Sequence, residues 1–121
     1  MSGSPRNSSL GEYGERVAAR HLVEGGMVVV DRNWRCGAGE IDLVLRDGDV
    51  VVVCEVKTRS SAARGHPLEA VDPVKCARLR RLAAHWLAAH DEHPHGVRLD
   101  LVGVLLAERG APEVVHLRGV G

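Results

Sequence analysis

Two apolar runs meet at an Asp-Gly dipeptide: Gly39 to Leu45, then Asp47-Gly48, then Val50 to Lys57. No other stretch restricts the fold as much. Asp-Gly between apolar runs is a hairpin signal, because a type I′ turn needs positive φ at both central positions. With Asp47 and Gly48 as the loop, counting outward sets Leu45 against Val50, Asp42 against Val53 and Glu40 against Glu55. Side chains alternate along a strand. Glu40, Asp42, Val44, Val51, Val53, Glu55 and Lys57 then share one face. Ile41, Leu43, Leu45, Val50, Val52, Cys54 and Val56 share the other. Away from its charged end the hairpin is apolar on both faces, so it needs cover on both sides.

The charged end is costly without a partner. Glu40 opposite Glu55 is a like-charge pair, which destabilises a sheet. Asp42, diagonal to Glu55, brings a second carboxylate within reach of the same ion. A hard divalent cation such as Mg²⁺ or Mn²⁺, held by oxygen ligands, offsets that repulsion. The plain alternative is a structural cluster in which Lys57 neutralises the acids. Apolar flanks on both faces favour the functional reading, since covered charges are paired or bind metals.

The remaining pattern gives an α/β domain. Residues 1–8 are small and polar and read as a disordered tail, with residues 9–121 as one domain. Ser9 to Glu12 has the form of a capping box opening a helix that ends at Gly25-Gly26. Met27 to Asp31 is a first strand, and the hairpin supplies the next two. Ser60 to His66 reads as a flexible loop. Asp72 caps a second helix, with Pro73 in its first turn, running to about His90. Val97 to Leu106 and Glu113 to Leu117 complete a mixed five-stranded sheet flanked by helices. The third and fourth strands are expected to be joined by a right-handed crossover through the second helix.

Composition narrows the function classes. The net charge is zero, which argues against a strongly basic nucleic-acid coat. Fourteen of the sixteen cations are arginine, the better residue for bidentate phosphate contact. Cys36, Cys54 and Cys76 lack paired spacing and read as reduced thiols in a cytoplasmic protein. No apolar run reaches membrane-spanning length and no signal-peptide core opens the chain. His85, His90, His93 and His95 lack the tight ligand pairs of a structural zinc site. Trp34 reads as a core aromatic beside a strand rather than a base-stacking platform.

Asp42 followed across the hairpin by Glu55-Val56-Lys57 resembles the PD-D/E-XK nuclease signature. The wider text resembles the bacterial YraN-like family, which is related to Holliday-junction resolvases. The matching stretches are Gly14-Glu15 with Ala18, Arg32-Asn33-Trp34-Arg35, Gly39 to Leu43, Glu55 to Arg59, Gly65-His66-Pro67 and Lys75, spanning about residues 10–105. The resemblance implies a restriction-endonuclease-like fold and a metal-dependent endonuclease hydrolysing DNA phosphodiesters, branched DNA included. It implies Asp42, Glu55 and the Val56 carbonyl as Mg²⁺ or Mn²⁺ ligands, Lys57 as the group that positions or activates the attacking water, and Glu40 as a support. It also nominates Glu15, a helix-one glutamate, whose plain alternative is an acid favoured near a helix N-terminus.

Phosphate-contacting candidates are Arg32, Arg35 and Arg59, at strand ends beside the acids. Lys75 and Arg78 lie on a second-helix stripe with Arg81 and His85, which as a plain solvated face needs no ligand. DNA is the expected partner. Junction cutters tend to be dimers, so the resemblance admits a homodimer, although no exposed apolar stripe demands one. The alternatives are a non-catalytic nucleic-acid-binding module of the same fold, separated by cleavage, and a protein-interaction subunit, separated by metal binding.

Overall fold

The computed structural model describes residues 5–60 and 72–120. Its elements are α1 (Pro5–Glu24), β1 (Val28–Cys36), β2 (Gly39–Asp47), β3 (Val50–Arg59), α2 (Pro73–Ala89), β4 (Gly96–Leu105) and β5 (Glu113–Leu117). The strands form one mixed sheet in the order β1-β2-β3-β4-β5. Three of the four pairings are antiparallel, and β3 runs parallel to β4 after the excursion through α2. This is the expected α/β architecture, consistent with a restriction-endonuclease-like fold. Ser61 to His66, part of the expected flexible loop, and Gly65-His66-Pro67 fall outside the described residues.

Each sheet face carries its own core. On the α1 side, Ala18, Ala19 and Leu22 pack with Leu43, Leu45, Val52, Cys54, Val102 and Val104. On the α2 side, Leu79, Leu82, Ala83 and Trp86 pack with Ile41, Val44, Val51, Val53 and Leu99. The continuous Val50–Val53 run follows from this double cover, since a strand buried on both faces has no solvent side to alternate toward. Ile41 departs from the expected face. It joins the α2-side cluster with Val44, whereas Leu43 lies in the α1-side cluster. Strict alternation therefore fails at Asp42.

The hairpin register also differs from the count. Asp47 pairs with Val50 and Leu43 with Cys54, so the two-residue loop is Gly48-Asp49. Gly48 alone in this turn has positive φ, +63°. That is the type II′ pattern, with glycine at the first central position, rather than type I′. The slip is two residues, so the facing of the side chains from Leu43 to Cys54 is preserved, and only beyond Leu43, at Ile41, does it fail. What changes is opposition: Leu45 faces Val52 rather than Val50, and the pairing stops at Leu43–Cys54, short of the acids.

The termini of other elements shift as well. α1 opens at Pro5, upstream of the expected start at Ser9, with proline at the first helical position. β1 extends to Cys36 because Arg32 to Arg35 continue in strand opposite β2, despite a register shift between Val29 and Asp31 and a left-handed Asn33 (φ +48°). α2 begins as read: Asp72 Oδ1 accepts from Val74 N–H at 2.9 Å and Pro73 follows.

Gly14 sets how closely α1 approaches the sheet. A Cβ there would stand 1.8 Å from Thr58 Oγ1 and 2.8 Å from Thr58 Cβ. No rotamer of Thr58 relieves a clash with its own Cβ, so the helix must lift. Gly14→Ala is therefore expected to destabilise the fold by ~1–3 kcal/mol, read as a lower midpoint in chemical denaturation. A midpoint equal to wild type would show that α1 is free to retreat.

Candidate active site

The candidate site lies where the sheet splits. The β2–β3 pairs end at Leu43–Cys54. Beyond that point Gly39 to Ile41 pair only with β1, and Glu55 to Arg59 only with β4. Asp42 occupies the mouth of the split: its Oδ2 accepts from the Val56 N–H at 2.8 Å. A side chain thus stands where the next strand-to-strand bond would form. Within a strand, the N–H and C=O of one residue point to the same edge, so the Val56 carbonyl also faces the split.

Acids from three elements surround Asp42. Burial pushes its carboxyl up to about 7; the Val56 N–H works against this, and the charges of Glu15, Glu55 and Glu40 add to it. Glu15 on α1 is held by Asn33, whose Nδ2 donates to its Oε1 at 2.8 Å. The Gly14–Thr58 approach is what lets α1 deliver Glu15 to β3. Glu40 lies 3.4 Å from Arg35 Nε. Glu55 is engaged from α2, with Lys75 Nζ 3.4 Å from Oε2 and Arg78 Nη2 3.5 Å from Oε1.

The cations form a second layer. Lys57 is exposed at the edge of the split. Its ammonium is pushed below its ordinary value, first by hydrogen bonding to Lys75, then by burial, while Lys75 is pushed up by the same contact. Arg59 is close enough to add to the depression of Lys57. Arg59 Nε is buried and has no hydrogen-bond partner among the described residues. A buried unpaired donor is costly, which makes this nitrogen a ready contact for an anionic oxygen. Arg32 is exposed on β1; its own N–H donates to Asp31 Oδ1.

Of the sequence candidates, Asp42, Glu55, Glu40 and Glu15 are therefore electrostatically coupled, Lys57 and Lys75 touch, and Lys75 and Arg78 meet Glu55. Among the described residues, no three His, Cys, Asp or Glu side chains converge tightly enough to hold a metal by themselves. A Mg²⁺ or Mn²⁺ site here would draw on Asp42, Glu55 and the Val56 carbonyl. This set is all hard oxygen, and such ions complete their shell with water and substrate phosphate. The donor chemistry fits. Of the histidines, His90 stacks on Trp86 at 4.2 Å and its Nε2 lies 3.6 Å from Asp31.

The raised carboxyl has a stability consequence. Folded Asp42 retains its proton up to about pH 7, whereas an unfolded aspartate loses it near ~4. Stability from this group is thus full at low pH and is lost as pH rises through that window. Asp42→Asn imitates the protonated acid and removes the repulsion. Relative to that variant, metal-free wild type should lose about 2 kcal/mol between pH 5 and 8. Parallel pH–stability curves for the two proteins would mean that Asp42 ionises freely.

A separate charge network, which has no counterpart in the sequence reading, ties down β4 and β5. Asp100 is fully buried. It accepts from Arg98 Nε (2.9 Å) and Nη2 (3.0 Å) and from Gly119 N–H (3.0 Å), and His116 Nε2 lies at 2.7 Å. Arg98 and Arg118 both reach Asp47 beside the β2–β3 turn, at 2.9 and 2.8 Å. The one available signal was an Asp inside the apolar run of β4.

Fold and site together define a small α/β domain with a mixed sheet split around a central carboxylate. Residues 14–104 match the model of the uncharacterised protein family UPF0102, and the chain belongs to that family. It is 61% identical over 114 residues to a UPF0102 protein of Streptomyces coelicolor, covering 93% of this chain and 88% of that one. It is 62% identical over 113 residues to one from Beutenbergia cavernae, covering 93% and 96%. A relative from Nocardioides sp. is 60% identical over 113 residues, covering 93% and 91%. No helix among the described residues is long and apolar enough to cross a membrane.

Proposed function

We propose that this protein is a Mg²⁺- or Mn²⁺-dependent endonuclease of the PD-D/E-XK type, acting in the cytoplasm on DNA phosphodiesters, branched DNA included. The observation that carries the reading is the split between β2 and β3, with Asp42 aimed into it on Val56 N–H and carboxylates from α1, β2 and β3 around it. A carboxyl kept near half-protonation by burial and like charge is a group prepared for a cation, and perturbed carboxyls cluster at functional sites.

In this reading Asp42, Glu55 and the Val56 carbonyl hold the ion. Bound there, a divalent ion would supply Lewis-acid polarisation of the scissile phosphate and a lowered pKa for the attacking water. Lys57, with its ammonium already pushed down by Lys75, orients that water and takes up its proton. Glu15 and Glu40 lie beside Asp42, where they orient the site. Arg59 offers its unpartnered Nε to a phosphate oxygen, and Arg35 and Arg32 extend the track along β1.

The deciding experiment incubates the full chain with labelled linear, flapped and four-way DNA in Mg²⁺ or Mn²⁺, with Asp42→Asn as control. Metal-dependent scission lost in the variant is the expected result. Binding without scission on every substrate would replace this reading by a non-catalytic module of the same fold. Neither binding nor scission would remove nucleic acid from the account.

A further inference from the structure

The acid on β3 does not stand open. Each oxygen of Glu55 is met by a different α2 cation, Oε2 by Lys75 at 3.4 Å and Oε1 by Arg78 at 3.5 Å. These two cations are also the α2 groups best placed to meet a phosphate, because they flank the split from the side opposite α1. Both tasks cannot be performed at once: a lysine or arginine holding Glu55 is withheld from DNA, and a Glu55 held by two cations is a poor metal ligand.

We infer that Lys75 and Arg78 form an exchangeable clamp on Glu55, and that DNA phosphates, by drawing the two cations away, release Glu55 to complete the metal site. This deepens the nuclease reading and rests on it. The ion pairs suit exchange rather than permanent bracing. They are long, and the Lys75 and Arg78 side chains keep 39% and 48% of their surface exposed. Pairs of this kind contribute little individually, so a phosphate competes with them readily. Charge also balances across the exchange: phosphate takes the cations, and the carboxylate they leave takes a divalent ion. Metal and DNA therefore bind with positive cooperativity, each tightening the other by the same factor.

The test is Mn²⁺ affinity of the full chain, read by electron paramagnetic resonance of free Mn²⁺, first without DNA. Lys75→Gln with Arg78→Gln should tighten Mn²⁺ binding by roughly five- to tenfold, the combined effect expected of two weak pairs. Removing the same charge at a distance, with Arg20→Gln and Arg109→Gln, should leave the affinity unchanged. Adding an uncleaved phosphorothioate-linked duplex should tighten Mn²⁺ binding to wild type and have much less effect on the Lys75/Arg78 variant. Equal affinities of wild type and the Lys75/Arg78 variant, with binding still abolished by Asp42→Asn, overturn the clamp and leave the nuclease reading intact. Mn²⁺ binding that is absent, or indifferent to Asp42→Asn, overturns both.

Discussion

Lys57→Ala is expected to lower DNA cleavage by roughly 10²–10⁴-fold, the range over which a positioned proton acceptor contributes, while leaving DNA affinity largely unchanged. Lys57 is exposed at the edge of the split, next to Lys75. A group acting on the attacking water contributes in the transition state more than in the ground state, so its loss falls on turnover rather than on binding. Lys57→Arg separates two versions of the role. Arginine keeps the positive charge but stays protonated and accepts no proton. An inactive arginine variant points to proton uptake by Lys57, and an active one to charge stabilisation alone. Arg35→Ala and Arg59→Ala should show the reverse phenotype: weaker binding, with the salt dependence flattened by about one unit of slope for each lost phosphate contact. Equal loss of binding and cleavage in Lys57→Ala would reassign Lys57 to the phosphate track.

Asp100→Asn should cost about 3–5 kcal/mol and lower Tm by roughly 10–20 °C. Burial alone would raise the Asp100 carboxyl, but the Arg98 bonds, the Gly119 N–H and His116 together outweigh it and hold the group below its ordinary value. A depressed carboxylate stabilises the fold above the unfolded pKa, and that contribution is lost as pH falls through the folded one. The variant should therefore show a shallower acid limb, measured by denaturant titration between pH 3 and 6. An amide offers one acceptor where the carboxylate offers two, leaving Arg98 and His116 short of partners in a buried place. Asp100→Leu with Arg98→Met should recover part of the loss, since an apolar replacement of both partners leaves fewer orphaned charges. A Tm within 2 °C of wild type for Asp100→Asn would mean that the network is dispensable.

The five strands, both helices and the double-sided hairpin were legible because each rests on local signals, among them Asp72-Pro73, the valine run and the glycine turn. The exact opposition of the acids was not. Asp47-Gly48 and Gly48-Asp49 are both admissible loops, and only the three-dimensional register chooses between them. A two-residue slip changes neighbours and not faces, so the count put Val44, Val51 and Val53 on one face, as found, while Ile41 escaped it. Departure from the sheet pattern at Asp42 and the break in alternation that moves Ile41 were invisible, since an aspartate taking a backbone N–H leaves no periodic mark. Lys75 and Arg78 resembled a solvated stripe because their partner, Glu55, is distant in sequence. Asp100 was hidden by its surroundings, where a single acid within an apolar strand interrupts a pattern without announcing its partners.

Asp42 also acts as a zipper stop. β2 and β3 close residue by residue from the Gly48-Asp49 turn as far as Leu43 and Cys54, and the carboxylate on Val56 halts the closure there. The opening and the acid within it are one structural feature. A lineage that replaced Asp42 with an aliphatic residue would lose the anionic group and gain the freedom to knit the strands further. The proposed chemistry is thus tied to an interrupted seam, and its decay would leave a more continuous fabric rather than an unravelled one.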